Sequence, residues 1–217
     1  MQLIMATGNQ NKVREIREML EGEDLTVLSL KDAGIRAKIE ENGKTFEENA
    51  VIKAEAIRDL TGQMVLADDS GLMIDAMDGG PGVRSSRFMG EDTSYDIKNR
   101  AILDALQDVP EEKRGARFVC AMALAFPKAA NGTGQETQVF RGVFEGRIAW
   151  EPAGENGFGY DPIFFVPSEN KTSAEMTPEA KNAMSHRGKA LQQVVMALKQ
   201  LPKEEKQAAS RPDMENN

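Results

Sequence analysis

Two adjacent carboxylates, Asp68 and Asp69, stand between the apolar run Met64-Val65-Leu66-Ala67 and a glycine, Gly71. A short apolar run followed by a glycine predicts a buried strand that ends in a turn, and α/β proteins bind ligands at such strand ends. Adjacent strand residues point to opposite faces, so one carboxylate could hold a metal ion or a water while the other caps the turn. Asp side chains also commonly bond the N–H groups of their own turn, and this segment alone leaves both interpretations open.

A polar turn, Thr7-Gly8-Asn9-Gln10-Asn11, precedes Lys12 and a segment with helical spacing. Backbone N–H groups at the start of a helix bind phosphate, and Gly8 permits close approach of an anion. Lys12 would supply a cation near the first turn of that helix. The spacings of the P-loop and of the dinucleotide-binding motif are absent, so the turn alone is a weak indication of an anion site.

Two further pairs of residues could join such a site. Glu40 and Glu41 are adjacent acids, and Mg²⁺ is usually held by one or two carboxylates together with substrate phosphates. Asn49 and Lys53 are four residues apart and lie on one face of a predicted helix, from which Lys53 could reach a phosphate. Taken singly, an acidic solvated loop and a surface lysine are the more ordinary interpretations.

The segment Gly154-Glu155-Asn156-Gly157-Phe158-Gly159-Tyr160-Asp161-Pro162 is a more specific pattern. Its glycines allow a tight loop, and its two aromatic rings could stack on a planar heterocycle while Asp161 or a backbone group contacts the polar edge. The alternative is a turn whose aromatic side chains cover the core.

The segment Ser185-His186-Arg187-Gly188 contains the only histidine of the chain. Arg187 offers a fork of donors for a carbonyl or a phosphate. His186 could contact the edge of a base, transfer a proton or serve a structural role. With one histidine and one cysteine, the composition excludes a zinc site built from these residues.

The elements that must position these residues alternate between strand and helix. Apolar spacing predicts strands over residues 3–6, 25–30, 64–67, 116–126, 138–148 and 163–166, and helices over 12–20, 46–57, 94–106, 177–181 and 189–201. This mixture, with a long hairpin in the second half, predicts an α/β fold with a mixed sheet. Residues 1–201 are expected to form one domain of two lobes, and the polar residues 202–217 a disordered tail.

Composition limits the classes of function. The chain has 217 residues, of which 40% are hydrophobic. Its formal net charge of −8 disfavours non-specific binding to the phosphates of nucleic acid. The single Cys120 cannot form an internal disulfide. No apolar run is long enough to span a bilayer, so we expect a cytoplasmic protein without a membrane partner.

Six segments in order resemble the XTP/dITP pyrophosphatases, also called inosine triphosphate pyrophosphatases, and most closely the bacterial members. They are ATGNQNKVREI, FEENAVIKA, LADDSGL, GGPGVRSSRF, GFGYDPIFF and SHRGKAL, and they extend over the chain to about Leu201. The resemblance implies an α/β fold with an elongated mixed sheet flanked by helices and two lobes with an active-site cleft between them. It implies a homodimer that hydrolyses ITP, dITP and XTP to the monophosphate and pyrophosphate with Mg²⁺, and so removes deaminated purines from the nucleotide pool.

The resemblance also implies roles for individual residues. Asp69 would be the general base on the attacking water and a magnesium ligand, and Glu40, or its neighbour Glu41, the second carboxylate at the metal. Lys12 and Lys53 would be the cations at the triphosphate. The residues implied to bind substrate are Thr7, Gly8, Asn9, Gln10, Asn11, Lys12, Lys53, Ser70, Phe158, Gly159, Tyr160, Asp161, Lys181, His186 and Arg187.

Base selection has a physical explanation within this resemblance. Hypoxanthine and xanthine carry a carbonyl at C6 where adenine carries an amine. Donors from Arg187 and backbone N–H groups would pair with that oxygen, whereas in adenine they would face another donor, the amine. A site built on such hydrogen bonds can discriminate between the two kinds of base by roughly 10⁴-fold. How guanine, which shares the carbonyl, is rejected does not follow from the sequence.

Two other functions are compatible with parts of the pattern. A related pyrophosphatase for pyrimidine or modified nucleoside triphosphates would have the same fold and a different pocket, and a panel of nucleotides separates it. A nucleotide-binding regulator would bind a nucleoside triphosphate without releasing pyrophosphate. The presence of both acidic and cationic candidates argues against the regulator.

Overall fold

The computed structural model describes residues 1–128 and 134–201 of the chain. The described strands are β1 Gln2–Met5, β2 Thr26–Ser29, β3 Val65–Ile74, β4 Gly115–Ala125, β5 Gln138–Ile148, β6 Phe164–Val166 and β7 Lys171–Thr172. The α-helices are α1 Gln10–Met19, α2 Phe46–Thr61, α3 Tyr95–Ala105, α4 Pro178–Met184 and α5 His186–Gln200. The predicted tail at 202–217 lies outside the described residues. So does most of Asn131-Gly132-Thr133-Gly134, whose glycines predict a turn between the strands expected at 116–126 and 138–148.

The strands form one mixed sheet in the order β2-β1-β3-β4-β5-β6-β7. Strand β1 pairs in parallel with both β2 and β3, whereas β6 is antiparallel to β5 and to β7. The α/β class with a mixed sheet is therefore confirmed. Strand β5 has the bounds that the sequence predicted.

By its internal contacts the chain divides into two compact units. The described part of the first comprises residues 1–69, 121–128, 134–140 and 190–201, and the second comprises 70–120 and 141–189. The first unit buries apolar residues of β1, α1 and α2, among them Ile4, Ile16 and Ile57. The second has a core that includes Leu72 and Phe164. No helix of the described residues is long and apolar enough to cross a membrane.

Polar side chains begin the helices that carry candidate site residues. Asn9 caps α1, and Thr45 caps α2 by accepting a hydrogen bond from the Glu48 N–H. The Glu48 carboxylate accepts from the Lys44 N–H at 2.6 Å, one residue before the position that a reciprocal capping box would use. The turn at residues 7–12 and the start of α2 are thus anchored by local hydrogen bonds.

One expectation about the acidic pair was wrong. Strand β3 does not end before Asp68 and Asp69 but runs through them and through Gly71 to Ile74. Both carboxylates lie in the strand interior and are buried. The strand can continue because their partners are side chains of neighbouring helices rather than the N–H groups of a turn.

The last helix also begins earlier than the spacing predicted. Helix α5 starts at His186, so His186 and Arg187 lie in its first turn. The Ser185 hydroxyl accepts from the Gly188 N–H at 3.0 Å, as a helix-capping serine does. A side chain at Gly188 would collide with the Asn182 carbonyl, so α4 and α5 can follow one another closely only with glycine there.

Candidate functional site

The first group of candidate residues, here called the carboxylate–lysine cluster, consists of Lys12, Glu41, Lys53, Asp68 and Asp69. Lys12 of α1 contacts the Asp68 carboxylate, with 2.8 Å between Nζ and Oδ2. The Lys53 ammonium of α2 lies 3.1 Å from Glu41 Oε2 and 3.5 Å from Asp69 Oδ1. Two helices and the loop before α2 therefore direct charged side chains to the acidic pair on β3.

The two aspartates of the pair have different partners. Asp68 is fully buried against Lys12 of α1, whereas Asp69 contacts Lys53 of α2. This separation follows from the alternation of side chains along a strand. The sequence-based argument that the pair need not share one role agrees with this arrangement.

Burial and neighbouring charges act on Asp69 and Lys53 in opposite directions. Burial raises the pKa of Asp69 above its usual range, although Lys53, Lys12 and a hydrogen bond from Asn49 favour its ionised form. Burial opposes the charge on Lys53, but the carboxylates of Asp69, Asp68 and Glu41 outweigh it and raise the Lys53 pKa. We conclude that Lys53 stays charged and that Asp69 is a stronger proton acceptor than an exposed aspartate.

A metal ion could be held by the carboxylates of this cluster. Asp69 and Glu41 both contact the same ammonium, whereas Glu40 is exposed to solvent. Within residues 1–128 and 134–201, no group of three or more His, Cys, Asp or Glu side chains is arranged to hold a metal ion. Two hard oxygen donors without a third protein ligand fit Mg²⁺, which takes its remaining ligands from water and substrate phosphates.

The turn at residues 7–12 lies in the same unit as the carboxylate–lysine cluster. The Asn9 carboxamide oxygen accepts from the N–H groups of Asn11 and Lys12 at 3.0 and 3.4 Å. A Cβ at Gly8 would meet no atom within 4 Å, so the backbone is open there. An anion approaching this turn would meet the start of α1, where Asn9 already uses two N–H groups, and the side chain of Lys12.

The second group of candidate residues surrounds Phe158 in the other unit, and we call it the Phe158 cluster. It comprises Phe158, Asp161, Ser173, Lys181 and Arg187. Asp161 accepts hydrogen bonds from the Phe158 N–H at 2.8 Å, the Ser173 hydroxyl at 2.7 Å and the Lys181 ammonium at 2.6 Å. Asp161 therefore holds the loop in place, and all three donors converge on one buried carboxylate.

Two cations lie near the Phe158 ring. Lys181 Nζ is 5.5 Å and Arg187 Cζ is 5.7 Å from its centroid. The Arg187 guanidinium also donates to the Ser70 hydroxyl at 3.5 Å. A half-buried aromatic ring with two cations nearby can hold a planar, electron-rich ring and supply donors to its edge.

Tyr160 and His186, two residues that were expected to bind the base, are buried and contact other groups of the protein. Tyr160 is buried, and its hydroxyl donates to the Ser85 carbonyl at 2.7 Å, so the core interpretation holds for this ring. Burial, and then the neighbouring Tyr95, raise the Tyr160 pKa. His186 is buried and stacks on Phe118, with 4.9 Å between ring centroids.

Asn49 is a site residue that the sequence left without a role. It is fully buried and donates to Asp69 Oδ2 at 3.0 Å. The signal in the sequence was its position four residues before Lys53 on one helix face. What Asn49 contacts on that face became clear only from the fold.

The chain is similar to known proteins over most of its length. The model of the Ham1 family matches residues 3–197. A dITP/XTP pyrophosphatase of Bacillus licheniformis is 48% identical over 199 residues, 92% of this chain and 98% of that protein. One of Halalkalibacterium halodurans is 51% identical over 191 residues, 88% of this chain and 95% of that protein. The solved structure of a HAM1 protein from Coxiella burnetii matches with a TM-score of 0.81 and 41% identity, over 93% of this chain and 100% of that one.

Proposed function

The chain belongs to the Ham1 family, and we propose that it hydrolyses dITP, XTP and ITP to the monophosphate and pyrophosphate. The observation that carries this proposal is the carboxylate–lysine cluster, in which a buried acceptor, Asp69, lies beside a charged lysine, Lys53. Such a pair offers a base for water and a cation for phosphate within one group of residues. The names of the relatives supply the substrate class.

In the proposed step, water attacks the α-phosphorus, and the bond between this phosphorus and the oxygen that bridges it to the β-phosphorus breaks, which releases pyrophosphate. Asp69 would accept the proton of the attacking water, since it is a buried carboxylate beside the Lys53 ammonium. Lys53 and Lys12 would offset the negative charge that develops on the phosphate oxygens.

The requirement for Mg²⁺ is also part of the proposal. Asp69 would hold the ion together with Glu41, which we prefer to the exposed Glu40 because Glu41 shares Lys53 with Asp69. When bound, the ion would neutralise phosphate charge and polarise the reacting phosphoryl group. The protein residues would orient it through carboxylate oxygens, the ligands that Mg²⁺ prefers.

We infer that the Phe158 cluster takes the base. The purine would stack on the Phe158 ring, and Arg187 would donate to the C6 carbonyl. Asp161 would act indirectly, because its carboxylate already accepts hydrogen bonds from Phe158, Ser173 and Lys181. We also propose that the protein is a homodimer and that it acts on the cytoplasmic nucleotide pool. Sedimentation of the purified protein tests whether it is a dimer.

Identification of the products tests this function. The protein is incubated with XTP or dITP, with Mg²⁺ or with excess EDTA, and the products are followed by phosphorus NMR. We expect the monophosphate and pyrophosphate in equal amounts with Mg²⁺ and neither with EDTA. The diphosphate with inorganic phosphate would refute the proposed bond cleavage, and equal rates in EDTA would refute the metal requirement.

A further inference from the structure

Asn49 connects two parts of the carboxylate–lysine cluster. Its carboxamide oxygen accepts from the Gly43 N–H at 2.8 Å, and its carboxamide nitrogen donates to Asp69 Oδ2 at 3.0 Å. A backbone N–H can only donate and an ionised carboxylate can only accept, so this orientation of the amide is the one that satisfies both partners. The side chain is fully buried, which means that it bridges the two without reaching solvent.

The contact with the loop before α2 is tight. A Cβ at Gly43 would lie 2.7 Å from the Asn49 carboxamide oxygen and 2.8 Å from Glu48 Cβ. Any side chain at Gly43 would push the loop away from α2 and lengthen its hydrogen bond to Asn49. Glycine is therefore required for the loop to pass this close to the helix.

Both oxygens of Asp69 are consequently held by α2. Oδ2 contacts the Asn49 amide and Oδ1 faces the Lys53 ammonium. The loop carrying Glu41 is connected to the same helix twice, through Lys53 to Glu41 and through Asn49 to Gly43. An amide does not change its charge with pH. The two hydrogen bonds of Asn49 therefore do not depend on ionisation of its own side chain.

We propose that Asn49 is the positioning residue of this active site. It fixes the rotation of the Asp69 carboxylate and couples it to the loop that carries Glu41. This inference rests on the proposed function of Asp69 as the base. Because Asn49 has 0% exposure, it acts through Asp69 and the loop rather than through contact with the nucleotide.

Two substitutions at the same position separate the hydrogen bonds. Asn49→Asp keeps an acceptor for Gly43 and removes the donor to Asp69, and Asn49→Leu removes both in a helix-favouring side chain. We expect each to lower kcat for dITP about 10- to 100-fold, as the loss of an orienting partner does. The KM should stay within about twofold, because only the reacting geometry is disturbed.

Glu48→Ala is the matched control. Glu48 also joins the loop to α2, through the Lys44 N–H at 2.6 Å, but it does not contact Asp69. We expect its kcat within about twofold of the wild type, since both hydrogen bonds of Asn49 remain in this variant. Gly43→Ala disturbs the Asn49 connection from the loop side and should lower kcat without a matching rise in KM.

A crystal structure of the Asn49→Leu protein gives a readout that does not depend on activity. We expect the Asp69 carboxylate to rotate away from its position in the wild type and residues 41–43 to shift. Wild-type kcat in both Asn49 variants, or an unmoved Asp69 carboxylate, would overturn the positioning role. A wild-type protein that releases no pyrophosphate from dITP would instead refute the proposed function, and the crystal structure would still decide the position of Asp69.

Discussion

Asp69 and Asp161 are both buried aspartates that contact a lysine, yet their surroundings differ. Asp161 accepts three hydrogen bonds of 2.6 to 2.8 Å, from the Phe158 N–H, the Ser173 hydroxyl and Lys181. Asp69 has longer contacts, 3.0 Å to Asn49 and 3.5 Å to Lys53, and Lys53 is shared with Glu41. A carboxylate that accepts short hydrogen bonds from three neighbouring residues stabilises structure, whereas one with longer, shared contacts keeps the capacity to accept a proton.

The same contrast separates the two groups of site residues. The carboxylate–lysine cluster collects side chains from β3, α1, α2 and a loop, and its two lysines face three carboxylates. The Phe158 cluster uses its acid as a scaffold and presents an aromatic ring with cations beside it. The first is suited to chemistry on phosphate and the second to recognition of a base.

The largest effect on stability is expected from Asp161→Ala. It leaves the buried Lys181 ammonium without its carboxylate, which should lower the free energy of unfolding by about 3–5 kcal/mol. Denaturant titration measures the change. In the control Asp104→Ala, which removes the exposed ion pair with Arg100, the loss should stay below about 1 kcal/mol. A similar small loss in Asp161→Ala would show that this carboxylate is not a scaffold.

Asp69→Asn should have the largest effect on catalysis. Replacing the carboxylate by an amide removes the proton acceptor, and kcat for XTP should fall at least about 100-fold. The free energy of unfolding should change by less than about 1 kcal/mol, because the amide has the same shape and can still bond Asn49. If this variant turned over XTP like the wild type, Asp69 would not be the base. The proposed difference in role between Asp69 and Asp161 would then be wrong.

Arg187→Ala tests whether the Phe158 cluster selects the base. Loss of the guanidinium should raise KM for ITP by about tenfold and narrow the gap between ITP and ATP, because a donor to the C6 oxygen is gone. Arg187→Lys keeps a positive charge without the fork of donors and should recover part of the affinity. Unchanged selectivity in both variants would mean that the base is selected elsewhere.

A third aspartate, Asp32, provides a small and pH-dependent effect. Hydrogen bonds from the Ser29 hydroxyl and N–H and from Arg17 lower its pKa from 3.8 to about 2. Because the folded state favours the ionised form, this stabilisation is present above pH 3.8 and is lost as the pH falls toward 2. Asp32→Asn should therefore lower Tm slightly at pH 7, and the difference should disappear in acid. A difference in Tm that persisted at pH 2 would contradict this origin.

Local sequence patterns predicted much of the fold. They failed where contacts between distant residues determine where an element ends. The strand at 138–148 followed from the periodicity of its apolar residues. The end of β3 was misplaced because a glycine after two acids indicates a turn when helix partners for those acids are unknown. Side chains distant in sequence decide whether an acidic pair ends a strand or lies within it.

The sequence predicted which residue types belong to the candidate site, but it did not predict which of these residues contact one another. Adjacent Glu40 and Glu41 cannot be distinguished by spacing, and only the folded loop brings Glu41 to Lys53. Asp161 was expected at the base, whereas its hydrogen bonds make it a support for the loop. The role of Asn49 depends on a contact to Asp69 that spans 20 residues, which helical spacing alone does not reveal.

The most direct test of the account is the specificity of the wild-type protein. Pyrophosphate release is measured for dITP, XTP, dATP and dTTP under the same Mg²⁺ concentration, and kcat/KM is compared. We expect dITP and XTP to exceed dATP and dTTP by at least about 100-fold, because hydrogen-bonding sites discriminate strongly at a polar edge. Equal values for dITP and dATP, or a preference for dTTP, would contradict the assignment of the Phe158 cluster to purines that carry a C6 carbonyl.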